Sequence, residues 1–177
     1  MGVIEYRPIG VIHTPFKEPR GTPIQPVAAE GVEGIVEVFP EYVDGLEGLE
    51  GFSHIILVYH FHLVGRRLLK VKPYMSDRLL GIFATRAPPR PNPIGISVVR
   101  LLDIEGSILR VRDVDIVDGT PLLDIKPYVP AFDIREVESI GWLEGVVSRV
   151  YRTRDDGRFY ATLRRDPRSG THNSTWE

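Results

Sequence analysis

Short apolar runs rich in Val and Ile recur about every ten residues along the chain, each broken by Gly, Pro or Asp. That pattern predicts strands over residues 9–13, 34–39, 54–61, 79–85, 94–102, 107–111 and 114–117. Helical periodicity is scarce. The best candidates are residues 42–49, weakened by two glycines, and 132–139, which follow Pro130. Many strands joined by turns rather than helices predict a mainly β chain: a single β-barrel-like domain with a few short helices. In residues 108–114 the alternation holds to Val111 and slips at Arg112 and Asp113, which predicts a bulge or the end of a pairing.

From Gly145 the character changes. Arg149, Arg152, Arg154, Arg158, Arg164, Arg165 and Arg168 outnumber Asp155, Asp156, Asp166 and the terminal Glu177, and Asp156-Gly157 lies between two strand-like runs, 145–153 and 159–164. The expectation is a basic C-terminal β-hairpin extension: a contact for RNA, a contact for a second subunit, or an ordinary solvated hairpin. It ends in a fraying tail, SGTHNSTWE. Residues 1–140 are then the barrel domain and 141–177 the extension and tail.

Composition narrows the chemistry. The 177 residues carry 22 Lys plus Arg against 24 Asp plus Glu, a formal charge of −2, so a nucleic-acid partner would have to meet a local basic patch. With no cysteine, the chain has no disulfide, no thiolate zinc site and no cysteine nucleophile. No run approaches the roughly 18 to 20 apolar residues of a membrane span, and the expected location is the cytoplasm.

The most informative segment is residues 81–96, GIFATRAPPRPNPIGI, where four prolines interleave with Arg86, Arg90 and Asn92. Proline fixes its own φ and pushes its predecessor toward extended conformations, so this loop is rigid. A loop that only joined two strands would be short and rich in Gly, Asn or Asp. A stiff loop carrying two guanidinium groups points instead to a binding site.

A second stiff segment, DGTPLLDIKPYVPAFD, starts at Asp118 with a turn. In an extended chain Asp124 and Lys126 share one face and Leu123 and Ile125 the other, so the polar pair can point together into a cleft or form a surface ion pair. A third, residues 9–27, is a strand running into Gln25, Pro26 and Val27, where small or apolar residues let backbone groups approach a ligand. His60 and His62 alternate along an apolar strand, but no His-x-x-x-His spacing or carboxylate cluster supplies further ligands. No metal is expected, and His62 reads as a hydrogen-bonded histidine at a pocket edge.

Taken in order, IGVIHTPFKE, GLEGFSHIILVYHFH, GIFATRAPPRPNPIGISVVRL and DIVDGTPLLDIKPYVP resemble the defining blocks of the TsaA-like, or TrmO, family, over about Tyr6 to Phe132. The resemblance implies a β-barrel acting as a homodimer. It also implies an S-adenosylmethionine-dependent tRNA methyltransferase whose substrate is threonylcarbamoyladenosine 3′ of the anticodon, methylated on its exocyclic nitrogen. Carried over by position, it implies cofactor contacts from Pro26, Val27, Ala28, His62, Leu63, Arg86, Ile96, Asp124, Ile125, Lys126 and Pro127. Arg90, Asn92, Asp118 and Tyr128 are then candidates for positioning the acceptor base. The chain departs from longer relatives at Leu63, where they carry a polar residue, and at Pro23-Ile24-Gln25-Pro26. The alternatives are a methyltransferase for a small molecule and a non-catalytic module binding RNA or a nucleotide.

Overall fold

A computed structural model describes residues 2–160. Its strands are β1 (Gly10–His13), β2 (Glu33–Val38), β3 (His54–His60), β4 (Lys70–Val71), β5 (Leu80–Gly81), β6 (Ile94–Glu105), β7 (Ile108–Arg112) and β8 (Thr120–Pro127). Six of them close an antiparallel barrel in the order β1-β2-β7-β6-β3-β8, with β8 returning to β1 through Gly10 opposite Leu122. Closure pairs each of these six strands on both sides and leaves the barrel no open edge. The mainly β barrel expected from the apolar pattern is therefore the fold.

Strand parity builds the core. Along β3, Ile55, Leu57 and Tyr59 are buried while His54, Ile56, Val58 and His60 keep surface outside. Ile12, Val36, Val99, Leu109, Val111 and Leu122 meet them in the interior. Each such aliphatic side chain withdrawn from water contributes about 1.5–3 kcal/mol. Gly95 opens that interior at one end. A Cβ there would fall on the Tyr59 ring and within 2.8 Å of Phe61, so only glycine lets the two rings pack edge to face, 5.3 Å apart.

Several local expectations are corrected. Residues 79–85 pair only through the two-residue β5, in a ribbon with β4, and Ile82–Ala84 coils into a 3₁₀ turn. Residues 114–117 join no ladder, because Asp113 at φ 69° has already turned the chain out of the sheet. The slip after Val111 therefore marks the end of a pairing. Residues 42–49 form 3₁₀ turns, Pro40–Leu46 and Leu49–Gly51, and the helix expected at 132–139 shrinks to one turn, Pro130–Asp133. In β8 the register slips against β3 so that Asp124 faces Val58 while Leu122 faces Tyr59. This bulge at Leu123 breaks the simple alternation: Leu122 is buried in the core and Ile125 packs against it.

Among the described residues the expected C-terminal hairpin is not formed. Its first arm coils as a 3₁₀ helix, Val147–Arg152, and Arg154 then bridges to Pro23 rather than to a hairpin partner. The Asp155 amide donates to the Thr22 carbonyl at 2.8 Å and the Gly21 amide to the Asp155 carbonyl at 2.7 Å. Of the apolar residues of this stretch, Val150 and Phe159 are buried while Val147 and Tyr151 stay exposed, and Phe159 shares a second core with Val71, Ile82 and Ala87. The stretch is held against these loops instead of pairing with itself. The remainder of the second arm and the tail lie outside the described residues.

Candidate active site

Between the Gly95 end of the barrel and the second core lies a cavity of about 1020 Å³. Its walls come from four stretches: the turn around Gln25 and Pro26, the end of β3 through Leu63, the proline-braced loop with the start of β6, and the docked C-terminal stretch.

The proline-braced loop is held from within. Arg90 donates through one Nη1 to the carbonyls of Thr85 at 2.7 Å and Ile82 at 3.2 Å, and its guanidinium lies 6.0 Å from the Phe83 ring. Ala87, Pro88 and Pro89 are buried, and the Pro89 carbonyl accepts from the Leu68 amide. Arg90 is thus a brace that folds inward, while Arg86 stays exposed on the cavity side. Gln25 Oε1 accepts from Arg86 Nη1 at 2.7 Å and fixes the guanidinium at the mouth. Arg86 makes no ion pair among the described residues, so the remaining donors of its planar fork are available to an anionic ligand group.

His62 sits on the opposite wall beside Leu63. The Thr120 hydroxyl gives its proton to the Val117 carbonyl at 2.6 Å, so at 3.3 Å it can only accept from His62 Nδ1. That leaves Nε2 as the acceptor. Burial, aided by neighbouring His60, pushes the His62 imidazole below its ordinary range and keeps it neutral.

The floor holds a polar chain inside otherwise apolar surroundings. Ser97 Oγ donates to Asp115 Oδ1 at 2.6 Å and in turn accepts from the Tyr59 hydroxyl at 3.1 Å. Burial pushes the Asp115 carboxyl up to about 7 against the opposing pull of Ser97, its own backbone and Arg86. Burial likewise lifts Tyr59 well above the ordinary phenol range, so it remains a donor. On the C-terminal wall, burial raises Asp155, and Tyr74 and Tyr160 beside it are pushed far up for the same reason. Sequence reading passed over Tyr59, Ser97 and Asp115. The available signal was Ser97, a hydroxyl at an inward position of an apolar strand.

The positions singled out from the sequence divide into two groups. Pro26, Val27, His62, Leu63, Arg86, Arg90 and Ile96 line the cavity. Ala28 closes the 3₁₀ turn Pro26–Ala28 next to it. Asn92 is exposed on the loop away from the cavity lining. Asp118 lies in a shallow cleft near β1, accepting from the Thr14 amide at 2.9 Å and pairing with Lys17 at 2.8 Å; the Lys17 ammonium holds it below the usual carboxylate range. Tyr128 lies edge-on to His54, 6.3 Å away. Asp124 and Lys126 form an ion pair at 2.7 Å on the outside of the barrel, and Ile125 and Pro127 continue that strand.

One row crosses three strands there. Asp124 is opposite Val58, and Val58 is opposite Ile96; Lys126, Ile56 and Val98 form the next row. The outer face of β8, β3 and β6 thus carries aliphatic side chains flanked by one ion pair, and Ile96 keeps 53% of its surface exposed. Among the described residues no group of three or more His, Asp or Glu is placed to hold a metal ion. No described helix is long and apolar enough to cross a membrane.

Comparison with known proteins agrees with this arrangement. The sequence profile of the tRNA-methyltransferase O N-terminal domain matches residues 11–134. A probable S-adenosyl-L-methionine-binding protein of Pyrococcus abyssi is 64% identical over 159 residues, covering 90% of this chain and 86% of that protein. The tRNA (adenine(37)-N6)-methyltransferase of Escherichia coli is 38% identical over 140 residues, covering 73% of this chain and 60% of the enzyme. The crystal structure of TrmO from Pseudomonas aeruginosa superposes with a TM-score of 0.67 at 40% identity, over 80% of this chain and 63% of that one. The chain therefore spans less than two thirds of these last two proteins.

Proposed function

The chain belongs to the tRNA-methyltransferase O N-terminal-domain family, and on that premise we propose that it is an S-adenosylmethionine-dependent methyltransferase acting on tRNA. The acceptor in this reading is the exocyclic nitrogen of threonylcarbamoyladenosine next to the anticodon, and the enzyme works in the cytoplasm as a homodimer. The observation that carries the reading is the cavity: an anchored guanidinium at its mouth, apolar walls, and a half-buried carboxyl held by Ser97 in its lining.

The residues present fit the cofactor. Arg86, fixed by Gln25, suits the carboxylate of its amino-acid end. Pro26, Val27, Leu63 and Ile96 offer apolar surface to its adenine and ribose, and the neutral His62 offers an acceptor. When bound, the cofactor supplies an electrophilic methyl group on a sulfonium. A site of about 1020 Å³ is at the upper end of single-ligand pockets and leaves space for an acceptor base.

Two surface features support the partners. Arg66, Arg67, Lys70, Lys72 and Arg78 are all exposed and unpaired among the described residues, in the segment that flanks Pro73, Tyr74 and Met75 of the cavity wall. A cationic segment flanking that wall suits an RNA backbone. The aliphatic rows on the outer face of β8, β3 and β6 suit a second copy of the chain, and Ile96 belongs to both that face and the cavity lining. A homodimer packed there brings the Asp124–Pro127 strand of a second subunit near the site.

Isothermal titration with S-adenosylmethionine, against adenosine triphosphate as control, tests the donor site, and methyl transfer to tRNA carrying threonylcarbamoyladenosine tests the reaction. Selective binding and transfer are expected. A folded protein that binds neither ligand selectively and transfers no methyl overturns the proposal.

A further inference from the structure

Methylation of an amino nitrogen leaves a proton to be removed. When the exocyclic nitrogen attacks the methyl carbon, an N–C bond forms and the C–S bond breaks with its electron pair staying on sulfur. The nitrogen, now bearing one proton too many, must release it. From the reaction proposed above, on which this inference rests, we infer that the Asp115 carboxyl, held by Ser97 and Tyr59 at the cavity floor, is the base that receives this proton.

The hydrogen bonds set the direction. A carboxylate only accepts, so Ser97 must donate to Asp115 Oδ1, and Tyr59 must donate to Ser97. The Tyr59 proton therefore points to Ser97 and the Ser97 proton to the carboxylate, which holds Oδ1. The other carboxyl oxygen takes no hydrogen bond from another described residue, while Asp115 lines the cavity. An oriented carboxylate with one committed and one open oxygen suits a proton acceptor, and its negative charge stabilises the cationic nitrogen formed as the methyl arrives.

The neighbours leave this role to Asp115. Arg86 faces it from the proline-braced loop and favours its charged form without pairing. Tyr59 on β3 and Tyr160 on the C-terminal wall are held protonated. His62, fixed to Thr120 through Nδ1, turns its Nε2 acceptor to the cofactor in the reading above, and Asp155 is tied into the C-terminal wall by the Gly157 amide at 2.6 Å. Burial leaves the Asp115 carboxyl titrating at about 7, where a base exchanges protons most readily near neutral pH.

The test pairs a titration of the ligand-free protein with kinetics. Carbon-13 NMR of aspartate-labelled protein should show one carboxyl titrating near neutrality, absent in Asp115→Asn and moved to higher pH in Ser97→Ala, since the serine hydrogen bond favours the charged form. The acid limb of the pH–rate profile for methyl transfer to threonylcarbamoylated tRNA should share that midpoint and move with it in Ser97→Ala. Asp115→Asn should lose roughly 100-fold or more in kcat while S-adenosylmethionine affinity stays within a few-fold. An Asp115→Asn enzyme that keeps its rate, or an acid limb that stays in place when the Ser97→Ala titration moves, overturns the inference. A wild-type protein with the neutral carboxyl but neither cofactor binding nor transfer overturns instead the reaction on which it rests.

Discussion

The segments from Arg86 to Pro93 and from Asp118 to Tyr128 are both stiffened by proline, and both place charged side chains along an extended backbone. They end up on different surfaces. The first turns Arg86 into the cavity and folds Arg90 back onto its own carbonyls. The second is a barrel strand whose Asp124–Lys126 pair faces outward. Proline thus tells that a backbone is fixed but not where its side chains aim. Aim is decided by strand parity, and in β8 by the bulge at Leu123, which both depend on partners far away in the chain.

Substitutions on the two sides separate these roles. The largest expected effect lies on the cavity side. Asp115 is raised to about 7, so its protonated form stabilises the fold below about pH 4, and that contribution is lost as pH rises from about 4 to 7. Asp115→Asn removes the loss and should make the protein more stable at pH 8 by on the order of 3 kcal/mol, with a gap that closes toward pH 4. Melting temperatures across that range decide it. Next comes Arg86→Ala, which should weaken S-adenosylmethionine binding by about 10- to 100-fold, as expected for a charge-assisted pair, with the melting temperature nearly unchanged. Unchanged affinity in calorimetry would remove Arg86 from the site.

Smaller effects follow. Arg90→Ala should cost about 1–2 kcal/mol, because the Thr85 carbonyl loses its donor, whereas the Ile82 carbonyl keeps the Thr85 amide and hydroxyl. Its cofactor affinity should fall less than that of Arg86→Ala, since the arginine acts on the loop. The smallest change in stability belongs to Asp124→Ala, less than about 1 kcal/mol for an exposed ion pair. If that variant also leaves cofactor affinity and oligomeric state intact, the outward segment has no part in the site. Lost affinity on an otherwise stable protein would instead bring the outer face of a second subunit to the cavity.

Much of this was legible from residues. The alternation in 54–61 and the Val and Ile runs of 9–13, 34–39, 94–102 and 107–111 specified barrel strands because a closed barrel has one dry face, and period-two burial records it directly. The slip at Asp113 was visible for the same reason. Other features were set by contacts distant in sequence. Residues 145–153 have strand composition, but Val150 is buried in a 3₁₀ helix that lies against the Pro26–Ala28 turn, and Phe159 finds apolar surface at Ile82 and Ala87. Asp115 sits between Val114 and Ile116 in a run that looks like many solvent-facing aspartates, and only the closing of the barrel end places it beside Ser97. Asp118 read as a site residue because it opens a turn, and it is occupied by Thr14 and Lys17, about a hundred positions earlier.

The backbone bridge between Thr22 and Asp155 also sets an order of events during synthesis. A chain that has left the ribosome only as far as residue 140 carries every barrel strand but lacks the wall that Val150, Asp155 and Phe159 supply. The stretch translated last among the described residues therefore completes the cavity wall only after every barrel strand has been made.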